Sequence, residues 1–175
     1  PLNNILISGA GQFGSRYLQG LIQCKKTLHI HVQDISSKTL LQAEQRWHEV
    51  GGLSTHHKVS FGTEIKQCSQ QLDLAIIATT APCRPEVVQE IAQHSKVRYW
   101  ILEKVLAQNT KGLEKIQLNV GNAALVWVNT PRRIVSSYQK IKEQLNLQSP
   151  LRLKVTGGPW GLACNTVHFL DLMDW

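Results

Sequence analysis

No stretch of the 175-residue chain approaches the roughly 20 consecutive apolar residues a helix needs to cross a bilayer, so no membrane partner is expected. Its first residues, Pro1-Leu2-Asn3-Asn4, carry no basic segment leading into a long apolar one; a secretion signal is not expected and a cytoplasmic location is. The four cysteines, Cys24, Cys68, Cys83 and Cys164, form neither C-x-x-C nor any zinc-ligand spacing and are expected as free thiols. Of seven histidines only His56 and His57 are adjacent, with no cysteine or carboxylate cluster nearby, so no metal site is expected. Nor does the chain contain a basic run interleaved with aromatics. Nineteen basic and twelve acidic residues leave a formal net charge of +7, but the cations are scattered, which argues against nucleic acid as a partner. Such a field favours anionic ligands in general.

What the chain does contain is an apolar strand, Ile5-Leu6-Ile7, running directly into Gly9-Ala10-Gly11-Gln12-Phe13-Gly14, a G-x-G-x-x-G turn. In such a turn the first glycine permits the tight reversal and the second leaves room for a pyrophosphate. The third lets the following helix lie close to the strand. That helix, expected over 12–24, aims its N-terminal amides and positive dipole end at the same spot. A second strand over 28–32 leads to Asp34, twenty positions after Gly14, where a carboxylate meets the adenosine ribose hydroxyls and repels a 2′-phosphate. NAD is therefore the expected cofactor, ahead of NADP. Asp34 could instead cap the helix that begins near Ser36.

The remaining pattern alternates. Helices are expected over 36–50, where Leu40, Ala43 and Trp47 share a face, then over 85–93 and 110–120; strands are expected over 58–61, 74–78, 98–102 and 123–128. The stretch 63–71 reads as polar, helical or irregular. Six strands alternating with helices specify an α/β fold: a Rossmann-type, doubly wound parallel sheet. Ligands bind such sheets beyond the carboxyl ends of the strands. Those ends collect Gly9, Gly11, Gln12, Phe13, Gly14, Asp34, Thr79, Thr80, Glu103 and Lys104, the expected cofactor-binding residues. Beyond residue 130 a longer helix over 132–147, a strand over 151–155 with apolar and basic residues alternating, and a helix over 163–175 read as the beginning of an α+β second domain. The domains are thus expected at 1–130, binding NAD(P), and 131–175, a linker helix and the first elements of a substrate-binding domain.

Oxidation of an alcohol needs a group to take the hydroxyl proton and a group to polarise the oxygen. Lys104, at a strand end beside Glu103, and His168, on a helix with Asp171 three residues on, are the expected catalytic residues.

The order of these features resembles the glucose-fructose oxidoreductase and inositol dehydrogenase family, Gfo/Idh/MocA. The opening glycine turn, Glu103-Lys104 followed by Leu106-Ala107, the Arg132-Arg133 to Lys142 segment and the Gly161 to Asp171 segment occur in that family's sequence. By this resemblance Lys104 orients substrate and tunes proton transfer, and His168 is the general acid/base. The resemblance implies an NAD(P)-dependent oxidoreductase acting on a sugar, nucleotide sugar or cyclic polyol. It further implies a homo-oligomer when full length and a substrate domain of which this chain holds only the start, so a truncated piece is expected. Val105 stands where the family has proline, Cys164 where it commonly has aspartate and Thr166 where it commonly has glycine; Thr80-Ala81-Pro82 replaces a Pro-Asn pair. Cys164 in particular keeps open a second reading, a dinucleotide-binding regulator or sensor without full catalytic activity.

Overall fold

The computed structural model describes residues 3–145, 150–159 and 161–175, which divide into two compact units after Val128. In the first unit, β1 (Asn4–Ser8), β2 (His29–Gln33), β3 (Lys58–Gly62), β4 (Gln71–Ile77), β5 (Lys96–Leu102) and β6 (Leu125–Val128) alternate with α1 (Gln12–Leu21), α2 (Ser37–Glu49), α3 (Arg84–His94) and α4 (Thr110–Val120). All the strands are parallel, in the order β3-β2-β1-β4-β5-β6. The doubly wound α/β sheet expected from the alternation is the one observed.

Successive side chains of a strand point to opposite faces, so a strand covered on both sides must be apolar at every position. β1 obeys this. Ile5 and Ile7 pack with Ile30, Val32 and Ile76 against Leu18 of α1 and Leu40, Ala43 and Trp47 of α2. Leu6 lies in the opposite core with Ala75, Ile77, Trp100 and Leu102, under Val88 and Ile91 of α3 and Ile116 and Val120 of α4. Leu118, off the apolar stripe of α4, is 82% exposed.

The second face of β2 is polar. No helix links β3 to β4 there, only a stretch with a 3-10 turn at Ile65–Gln67, and buried polar groups pair with one another, though His31 Nε2 has no hydrogen-bond partner among the described residues. Ser8 Oγ donates to Gln33 Oε1 (2.7 Å), Gln33 Nε2 donates to the Thr63 carbonyl (3.1 Å), and His31 Nδ1 lies 2.9 Å from Ser60 Oγ.

Six expectations are corrected. α1 ends at Leu21 rather than 24, where Ile22, Gln23 and Cys24 close tighter turns by donating to the carbonyls of Gln19, Gly20 and Leu21, and β5 begins at Lys96 rather than 98, where Lys96 N donates to the Gln70 carbonyl (2.9 Å). β4 begins at Gln71 rather than 74, because Asp73 turns its carboxylate to the Asn3 and Asn4 amides (2.9 and 3.0 Å) and so is tolerated inside the strand. β6 begins at Leu125 rather than 123, since Ala123 still closes the turn after α4 by donating to the Val120 carbonyl (3.0 Å). The helix expected over 132–147 is a 3-10 turn, Pro131–Ile134, followed by α5 (Ser136–Gln144), with extended backbone at Val135 between them; positions 146–147 lie outside the described residues. No strand forms over 151–155, which is irregular and exposed. Alternation tells which way side chains would face, but a strand needs a neighbour for its backbone groups. Among the described residues the second unit offers none. It closes with α6 (Leu162–Asp174), entered through Gly161 at φ +67°.

Burial pulls the His31 pKa below its ordinary 6.5. The unfolded chain takes up a proton near 6.5 that the folded chain refuses, so this share of stability is complete above that pH. It is lost as pH falls through the depressed folded value. His57 is lowered in the same sense, by burial and by the neighbouring His56. Thermal melting midpoints are therefore expected to be level at and above neutral pH and to fall toward pH ~5, with His31→Gln removing part of that fall; an unchanged slope in the variant would contradict the assignment.

Candidate functional site

The chain lays β1, β2 and β3 outward in one direction and then crosses to β4 on the other side of β1. At such a reversal the connections leaving two adjacent strands part and open a crevice beyond their carboxyl ends. Here the residues just past the strands are still held by the ladder. Gly9 N donates to Gln33 O (2.8 Å), Ala78 N to Ser8 O (2.8 Å) and Glu103 N to Ile77 O (3.0 Å). Gly9, Asp34, Thr79, Thr80, Glu103 and Lys104 are thereby brought to one edge.

The three glycines of the turn do different work. At Gly9, where φ is +92°, an added Cβ would lie 2.7 Å from Thr79 N; at Gly14 it would lie 1.8 Å from the Gly9 carbonyl oxygen. Both positions must be bare for the chain to close on itself. At Gly11 an added Cβ would meet no protein atom within 4 Å. Nothing in the protein requires that position to be bare, and the open space fronts the start of α1. That helix has no side-chain cap and no acidic residue in its first turn, so its leading amides keep their capacity for an anion. Gln12 and Phe13 are exposed on this first turn, Phe13 by 55%.

Asp34 is half-buried at the end of β2. Its Oδ2 accepts from Ala10 N, inside the glycine turn (2.8 Å), and its Oδ1 from Ser36 N (2.9 Å). Capping of α2 falls to Ser36, whose Oγ accepts from Thr39 N (3.3 Å). A carboxylate offers about four lone-pair sites, so two remain. Across the crevice, the Thr79 hydroxyl is buried without a hydrogen-bond partner among the described residues, and Thr80 is exposed.

Glu103 is 4% exposed and accepts from the Tyr17 hydroxyl of α1 (2.7 Å). Lys104, half-buried, follows it, and the Lys104–Val105 peptide is cis. Behind this loop lies Arg84, 2% exposed, which donates from Nη2 to the Thr79 carbonyl and from Nη1 to the carbonyls of Val105 and Leu106. Neither Tyr17 nor Arg84 stands out from sequence motifs. The available signal for Arg84 was its spacing: 84, 88 and 91 form one stripe on α3, and a charge there interrupts an apolar row.

His168 lies in the second unit, half-buried on α6, apart in the chain from the Lys104 edge. Its helix is held just beyond the histidine. Arg133 meets Asp171 as a fork, Nε to Oδ2 and Nη2 to Oδ1, both at 2.8 Å, and the Arg132 guanidinium lies 4.0 Å from the centre of the Phe169 ring. Cys164 is exposed.

The first unit thus belongs to the class of parallel α/β folds with a glycine turn at the strand-order reversal. No family model matches the chain, and no curated protein does. Solved structures do match. The chain is similar to myo-inositol dehydrogenase from Lactobacillus casei in complex with NAD(H) and myo-inositol, with a TM-score of 0.73 and 16% identity over 100% of this chain and 54% of that one. A scyllo-inositol dehydrogenase from Lactobacillus casei with bound NAD(H) and scyllo-inositol gives 0.67 and 15%, over 100% and 56%. Myo-inositol 2-dehydrogenase from Lactobacillus plantarum gives 0.62 and 17%, over 82% and 40%. At these identities the likeness establishes the fold. The chain spans about half the length of the proteins it resembles.

The unequal roles of the glycines can be read from stability. Gly14→Ala is expected to cost at least about 1–3 kcal/mol through overpacking, whereas Gly11→Ala should stay within about 1 kcal/mol of the parent. Urea unfolding of both variants checks this, and equal losses would remove the distinction.

Proposed function

We propose that this chain is the dinucleotide-binding part of an NAD-dependent oxidoreductase of the Gfo/Idh/MocA type, acting on a sugar, nucleotide sugar or cyclic polyol. The observation that carries the reading is the bare Gly11, which no contact within the protein explains, at the start of α1 and next in the chain to Ala10, whose amide donates to the Asp34 carboxylate. Bound NAD would supply the acceptor for a hydride from a hydroxyl-bearing carbon. The chain's own residues do the rest. Gly9, Gly11 and Gly14 shape the turn, Gln12 and Phe13 begin the helix whose amides hold a pyrophosphate, and Thr79 and Thr80 form the opposite lip of the crevice. The two remaining acceptor sites of Asp34 suit the two ribose hydroxyls, and its charge opposes a 2′-phosphate. Lys104, oriented through Glu103, polarises the substrate oxygen, and His168 takes or returns its proton. Residues 131–175 are read as the start of the substrate-binding part, and the longer protein as a homo-oligomer.

A regulator or sensor that binds the dinucleotide without turnover is the second reading. It is favoured by Cys164, which offers a thiol on the helix of His168 where the resembled family commonly places a carboxylate.

Calorimetric titration is expected to give NADH binding at least about tenfold tighter than NADPH, the effect of roughly one pK unit's worth of charge interaction. Asp34→Ala should narrow the gap by weakening NADH and relieving NADPH. Equal affinities in the parent chain would take Asp34 out of its role.

A further inference from the structure

Position 84 lies on the stripe of α3 that continues through Val88 and Ile91 into the core, where an apolar side chain would pack at no electrostatic cost. The residue there is an arginine that is 2% exposed. Burial disfavours its charge, and the nearby Glu103 carboxylate opposes that effect. A buried guanidinium is retained at a cost unless it is well paired, so its contacts should reveal what an apolar residue there could not do.

Those contacts run between two loops. β4 and β5 are paired as far as Ile77 and Leu102, with Glu103 N adding one last bond to the Ile77 carbonyl. Past that point the strands part and their carbonyls need other donors. Arg84 supplies them: Nη2 to Thr79 on one side of the gap, Nη1 to Val105 and Leu106 on the other. A planar fork with donors on separate nitrogens can reach both loops at once, whereas an ammonium is a single point. From the opposite direction Tyr17 of α1 holds Glu103. Lys104 is the residue between these two anchorages.

We propose that Arg84 is a positioning residue that pins the Glu103–Leu106 loop to the end of β4 and so fixes where Lys104 is presented. Its consequence for catalysis rests on the role given to Lys104 above; the pinning itself does not.

Hydrogen exchange read by mass spectrometry on the unliganded 175-residue chain tests this. In Arg84→Met the amides of 79–81 and 104–107 are expected to exchange at least about tenfold faster while the interior of α3 and strands β1 and β2 keep their protection, because the opening is local. Arg84→Lys should restore part of it. Lys104 should also be acylated faster by acetic anhydride in both variants, with exposed Lys58 unchanged as the internal reference. Faster exchange throughout α3 and the sheet, or no change in the two loops, would overturn the proposal, since either would make Arg84 an ordinary packing residue. Should Arg84→Met fail to fold, the same pattern confined to the two loops in Arg84→Lys supports it, and its absence there overturns it. No ligand enters these measurements, so failure of the parent chain to bind NADH would sink the cofactor reading while the exchange pattern still decides the role of Arg84.

Discussion

The close approach of Gly14 to the Gly9 carbonyl is the contact on which the carboxyl edge depends. A single methyl group at residue 14 would sit 1.8 Å from that oxygen, so α1 can lie against the turn only because glycine is there. The turn in turn passes β4 only because Gly9 is bare and can take a positive φ. With both conditions met, Gly9 N reaches the β2 carbonyl of Gln33, Ala10 N reaches Asp34, and the start of α1 faces the crevice. The same backbone geometry that closes the fold therefore leaves unspent donors where an anion can use them.

The two sides of the crevice are held by different chemistry. On the β2 side, backbone and carboxylate do the holding, through Asp34, with Ser36 relieving it of the helix cap. On the β5 side the holding is done by buried side chains, Tyr17 on Glu103 and Arg84 on the loop carbonyls. In the second unit two arginines from one 3-10 turn secure α6 just beyond His168, one by a carboxylate fork and one over an aromatic ring. Each residue assigned to chemistry thus sits beside a polar anchor, and lasting order in a functional loop depends on such anchors.

Much of this was legible in the sequence because it is local. The glycine turn, the apolar strand before it and Asp34 twenty residues later follow from spacing alone. The limits of α4 followed from its apolar spacing, and in the structure Asn109 caps its start, accepting from Gly112 N (2.9 Å), while Gly121 follows its end. Other features depend on what lies across space. Arg84 could not be read as a tie between loops until β4 and β5 were seen to part. His31 and Gln33 sit in a strand whose second face turned out polar because no helix covers it. The alternation over 151–155 described a face without a partner, and the break at Val135 has no marker such as glycine or proline within the predicted helix interior. Fold class was therefore accessible from periodicity, whereas the supports of the edge were accessible only from contacts.

The most direct measurement of the central claim is a titration of isotope-labelled chain with NAD⁺, followed by amide chemical shifts. The account predicts that the largest changes fall on Ala10 to Gly14, on Asp34 to Ser36 and on Thr79 to Thr80, with β3 and the amino ends of the strands unmoved. Changes scattered over the surface, or centred away from the glycine turn, would contradict it.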